Sequence, residues 1–98
     1  MKGILIEPGK APVATTLPEN LQGIEAWAGG TVDNYIFPRT PAVLFYRTAG
    51  SPVNRILRGI PLCGTILCYG WKNNSLVPIS KDLQAEMLDR LKDTEVRV

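Results

Sequence analysis

The sequence contains no histidine. That absence excludes Ser-His-Asp and Cys-His nucleophilic centres, histidine-ligated metals and an imidazole pH switch. Only two cysteines are present, Cys63 and Cys68, five apart in a β-branched and aromatic run. An odd separation along a strand sends them to opposite faces, where they cannot bond to each other. Two cysteines in a small secreted chain ordinarily read as a disulfide; here a reduced, buried pair is expected, and a cytoplasmic location follows. Long hydrophobic runs are also missing. The longest, Ala42–Tyr46, is five residues, against the roughly 20 a membrane helix needs. The opening Met1-Lys2-Gly3-Ile4 starts a strand-like alternation rather than a secretory signal, and its glycine is misplaced for myristoylation. The glycines match neither a phosphate loop nor a dinucleotide fingerprint. No metal or cofactor is therefore expected, and no catalysis.

What is present is a chain of 98 residues, 45% hydrophobic and 20% charged, with nine glycines and eight prolines. This length implies one domain, 1–98, with a real core but little stability to spare. Collagen, coiled coil and wholesale disorder do not fit the balance of apolar, charged and breaker residues.

Hydrophobic periodicity divides the chain into short elements. Gly3 to Glu7 reads as a strand closed by Pro8-Gly9, and Pro12 to Thr16 as a second, short one. Thr16 and Glu19 have capping-box spacing, with Pro18 in the first turn, so a helix carrying Leu21, Ile24 and Trp27 should follow. Gly29-Gly30 would stop it. Thr31 to Phe37 alternates as a strand, and Ala42 to Arg47 is a continuous apolar run of the kind buried on both faces. Thr48 to Pro52 is a turn, and Val53 to Leu57 reads as one helical turn broken at Gly59. Leu62 to Trp71 is the longest strand, with Lys72-Asn73-Asn74 turning into Leu76-Val77. Ser80 caps a last helix bearing Leu83, Met87, Leu88 and Leu91 on one stripe. The expected fold is α+β, a small single domain with a mostly antiparallel sheet of about five or six strands and two helices.

Charge is sorted along the chain. No acidic residue lies between Asp33 and Asp82, while Arg39, Arg47, Arg55, Arg58, Lys72 and Lys81 give that stretch a net +6. The flanking stretches are each −2, which leaves a total of only +2. Arginines converging on one site without competing carboxylates would bind an anion bidentately, and their planar fork suits phosphate. The alternative is that they lie on separate solvated faces or pair with the acidic helices. Aromatics are interleaved with them: Tyr35, Phe37, Phe45, Tyr46, Tyr69 and Trp71. Such rings either pack in the core or stack on bases; Tyr69 and Trp71 share a strand face beside the Asn73-Asn74 turn and are the candidates for exposure.

Several of these pieces form an ordered set: a strand running into Glu7-Pro8-Gly9-Lys10, a helix ending at Gly29-Gly30, then Pro52-x-Asn54-Arg55, and Gly64-Thr65 leading a strand that ends at Gly70. In that order and spacing they resemble a small domain family of unknown function encoded by phages, plasmids and other mobile elements, over about residues 2–92. Relatives in that family often carry asparagine where this chain has Arg47, and tend to be acidic where its middle third is basic. The resemblance implies an accessory factor that blunts host immunity, either by sequestering a nucleotide signal or by binding a defence protein.

Together these readings predict a non-catalytic protein that captures a small anionic nucleotide, of cyclic or ADP-ribose type. Arg55 and Arg47 would hold phosphate, Asn54 and Thr65 would hydrogen-bond sugar or base, Trp71 or Tyr69 would stack, and Lys10 would close the site. The motif residues also have structural readings: Gly9, Gly29 and Gly30 supplying positive φ, Gly64 a bulge or a close backbone approach, and Arg55 bonding loop carbonyls. A homo-oligomer is expected, because a small domain encloses a ligand most easily between subunits. The second reading is a protein-interaction module acting directly on a host defence enzyme. Nucleic-acid binding is disfavoured by the small total charge and the acidic C-terminal stretch.

Overall fold

The computed structural model describes residues 1–28, 32–47, 53–57 and 59–92. Among them run seven strands and two helices: β1 (Lys2–Ile6), β2 (Val13–Thr16), α1 (Leu21–Ala28), β3 (Val32–Ile36), β4 (Ala42–Arg47), β5 (Val53–Leu57), β6 (Ile60–Lys72), β7 (Ser75–Val77) and α2 (Lys81–Lys92). All the strand pairings are antiparallel, in the order β2-β1-β6-β4-β3, with β5 and β7 also paired to β6. The fold is α+β, as the element pattern implied, with one or two more strands than expected.

Strand β6 organises the sheet because its 13 residues outrun any single partner. One of its edges carries β4. The other carries β5, β1 and β7 end to end, opposite Cys63, Leu67 and Gly70 in turn. The continuous apolar sequence of β4 is explained by its place between β3 and β6, with Ala42 to Phe45 all buried.

Alternation along the strands separates two cores. Ile4, Ile6, Leu44, Ile66 and Cys68 face α2, whose Leu83, Met87 and Leu91 are buried against them at helical spacing. Val43, Phe45, Leu67 and Tyr69 face the other way, with Leu17 and Ile24 of the α1 side. The sheet is thus the middle of three layers.

Local signals decide the element ends. The Ser80 hydroxyl accepts a hydrogen bond from the Leu83 amide at 3.2 Å, capping α2 as its position implied. For α1 the cap is different: the Asn20 Oδ1 accepts from the Gly23 amide at 2.7 Å, and α1 starts after Asn20 rather than in the Thr16 box. Asn73 and Asn74 both take positive φ, 52° and 58°, the geometry of a type I′ hairpin between β6 and β7.

The segment Val53–Leu57, read from sequence as a helical turn, is strand β5, paired from Val53↔Cys63 to Leu57↔Ile60. Its apolar residues sit at i, i+3 and i+4, but backbone pairing to β6 overrides that local pattern. The stops assigned to Gly29-Gly30 and the turn at 48–52 lie outside the described residues.

Candidate functional site

A cavity of about 360 Å³ opens at the C-terminal end of α1, lined by Trp27, Ala28, Arg47 and Thr65. Arg47 ends β4 opposite Cys63, and Thr65 lies in β6 within the register shift between the two strands, which spans Cys63 to Leu67. Gly64 makes that shift possible, with φ of 67° in the region only glycine enters freely. The bulge expected at Gly64 is therefore present, and it lies next to the residue that lines the cavity. Trp27 is 48% exposed, an indole held at the mouth rather than in the core. Arg47 is exposed and, among the described residues, makes no ion pair.

The cavity thus combines a guanidinium, a hydroxyl and an aromatic face, the set that binds phosphate, ribose and base. Ala28 belongs to the last turn of α1, the partially negative end of the helix dipole. Among the described residues, Arg47 is the group lining the cavity that can balance the charge of a bound anion.

The other expected site residues are distributed differently. Asn54 is 1% exposed, and its amide donates to the Ile6 carbonyl at 2.9 Å and the Gly64 carbonyl at 2.7 Å. It is spent on the fold, tying β5 to the end of β1 across the bulge. Tyr69, assigned to exposure and stacking, is fully buried; its ring meets Phe45 edge-on at 5.9 Å and its hydroxyl donates to the Pro18 carbonyl at 2.7 Å. Burial pushes that phenol well above its ordinary range.

Lys10 sits exposed in the turn after β1, its ammonium 3.9 Å from the Glu7 carboxylate, and does not line the cavity. Arg55 lies in β5 opposite Leu62, and its side chain is outside the described residues. Among the expected residues whose side chains are described, Arg47 and Thr65 are the two that meet. Trp27 was missed because its spacing with Leu21 and Ile24 reads as a helix core; its place in the last turn, beside a glycine pair, was the available signal.

Trp71 belongs to a second cavity of about 360 Å³ at the opposite end of α1, with Leu21, Phe45 and Leu76 around it. Its amide donates to the Pro41 carbonyl at 2.8 Å, which fixes the strand end beneath the ring. Tyr69 and Trp71 do share a sheet face, but only Trp71 reaches a cavity.

Elsewhere, burial raises the Tyr46 phenol, helped by the neighbouring Asp33 carboxylate and Cys63. Cys63 and Cys68 are both free thiols. Among the described residues no group of three or more cysteine or acidic side chains is placed to hold a metal ion. No described helix is long and apolar enough to cross a membrane. No family model, curated protein or solved structure matches the chain.

Proposed function

We propose that this protein binds a small anionic nucleotide without turning it over, in the cavity formed by Trp27, Ala28, Arg47 and Thr65. The observation that carries the reading is the meeting of Arg47 and Thr65 beside an exposed indole. Arg47 holds phosphate, Thr65 hydrogen-bonds sugar or phosphate oxygen, and Trp27 stacks on the base. Arg55, which follows Asn54 in β5, is a further phosphate ligand in this proposal, and a second copy of the chain completes the enclosure. The biological role proposed is that of a mobile-element accessory factor that sequesters a cyclic or ADP-ribose-type immune signal in the host cytoplasm. It is supported by the ordered Pro-Gly-Lys, Asn-Arg and Gly-Thr elements of the sequence.

A thermal-shift panel of ADP-ribose and cyclic di-AMP tests the binding. Ligand at a hundredfold excess over its dissociation constant stabilises the native state by about 2.7 kcal/mol, a rise of several degrees for a domain this size. Arg47→Ala is expected to remove the shift while leaving the unliganded melting temperature in place, since exposed substitutions typically change stability by less than about 0.5 kcal/mol. A flat panel, or a shift that is undiminished in Arg47→Ala, contradicts the proposal.

A further inference from the structure

The cavity at the N-terminal end of α1 differs chemically from the one beside Arg47. Its walls are apolar, built from Leu21, Phe45, Trp71 and Leu76, and among the described residues Glu19 is the one charged side chain lining it. With a carboxylate and, among the described residues, no cation in its lining, it disfavours anions. Its rim carries the primary amides of Asn34 and Asn74. Asn34 projects from β3 opposite Phe45, and both side chains are exposed with no hydrogen-bond partner among the described residues. An amide offers a donor and an acceptor side by side, which matches the edge of a nucleobase. The indole and the two leucines supply the flat, dry surface that a base occupies. Its volume of about 360 Å³ lies at the lower end of small-molecule sites, roughly 300–1,000 Å³.

We infer that this second cavity binds an uncharged nucleobase or nucleoside, stacked on Trp71 and read at its edge by Asn34 and Asn74. The inference is independent of the Arg47 cavity. It differs from a sugar site in that apolar groups, not hydroxyl partners, make most of the wall. Because no described residue lining the cavity is a cation, a 5′-phosphate adds nothing to affinity here.

The sequence has two tryptophans, so the Trp27→Phe variant leaves Trp71 as the single indole and reports on this cavity alone. Adenosine, guanosine, cytidine and uridine are titrated into it, with N-acetyltryptophanamide correcting for absorption. Saturable quenching by at least one nucleoside is expected, with its 5′-monophosphate no tighter. Asn34→Ala, at an exposed position that leaves the core intact, is expected to weaken binding about three- to tenfold. Absence of saturable quenching by all four nucleosides overturns the inference. So does quenching by glucose in their place, tighter binding of the monophosphate, or affinity unchanged in Asn34→Ala. Because Trp71 is the reporter, a negative thermal-shift panel for the Arg47 cavity leaves this result standing.

Discussion

The Asn54 side-chain amide lies 2.7 Å from the Gly64 carbonyl and 2.9 Å from that of Ile6, so one buried residue holds the bulge in β6 to the end of β1. Strands β5 and β1 follow one another along the same edge of β6, and Asn54 sits where they meet. Replacing it with alanine withdraws the donor from two carbonyls. The expected cost is about 1–3 kcal/mol, with each kcal/mol lowering the melting temperature by about 4–8 °C. A melting temperature unchanged by Asn54→Ala, read by circular dichroism, would mean that the bulge is held by other means.

Gly3 is required for a close approach rather than for a turn. A Cβ there would stand 2.6 Å from the Cys68 carbonyl oxygen and 2.5 Å from Leu17 Cδ1. Backbone cannot rotate away as a side chain does, so Gly3→Ala forces β1 and β6 apart. Overpacking of this kind typically costs about 1–3 kcal/mol, and chemical denaturation should show a lower midpoint. Gly9, with nothing within 4 Å of the same added atom, is the control for crowding, although its φ of 73° carries a strain of its own.

Alkaline pH should destabilise the fold through two buried groups. Burial pushes the Cys68 thiol from 9.0 up to about 12, and the Tyr69 phenol upward from 10.0. Both keep their protons in the folded chain at a pH where the unfolded chain has released them. The folded state then binds more protons, and stability falls as pH rises. The Cys68 contribution is complete below about pH 9 and is lost progressively between pH 9 and 12, and that of Tyr69 begins to be lost only above about pH 10. Urea midpoints should therefore be lower at pH 10.5 than at pH 7, with a smaller difference in Cys68→Ala. Equal midpoints at the two pH values contradict the burial assigned to these side chains. For the same reason Cys68 should resist thiol reagents at pH 8 until the protein is unfolded.

Tyr69 serves the core and not the ligand. Tyr69→Phe removes the hydrogen bond to Pro18 and keeps the ring against Phe45. A loss of about 1 kcal/mol in stability is expected, with nucleotide affinity intact. Lost affinity in a variant of unchanged stability would return Tyr69 to the site.

Much of the fold was legible because its strongest local patterns agree with its tertiary contacts. The apolar run at Ala42–Arg47, the Asn73-Asn74 turn and the Ser80-capped stripe of Leu83, Met87 and Leu91 each satisfy backbone and core together. Val53–Leu57 was misread because its apolar spacing is helical, while its structure is imposed by β6, which follows it in sequence. Asn20 rather than Thr16 caps α1 because the chain from Leu17 first completes the pairing of β1 with β2: the Leu17 amide donates to the Met1 carbonyl at 2.7 Å. The site was harder to read. A buried asparagine and a ligand-binding one look alike in sequence, and only the positions of Ile6 and Gly64 separate them. Arg47, Thr65 and Trp27 come from three elements whose meeting depends on the bulge at Gly64, and no linear spacing encodes that.

The central claim is that an anionic nucleotide occupies the cavity beside Arg47, and amide chemical-shift mapping tests it most directly. In a ¹H–¹⁵N titration with ADP-ribose, the account predicts saturable shifts centred on Trp27, Ala28, Arg47 and Thr65, together with the Trp27 indole N–H. Arg47→Ala should remove them. Absence of shifts at Trp27, Arg47 and Thr65, or saturable shifts of Trp27 and Thr65 that persist in Arg47→Ala, would contradict it.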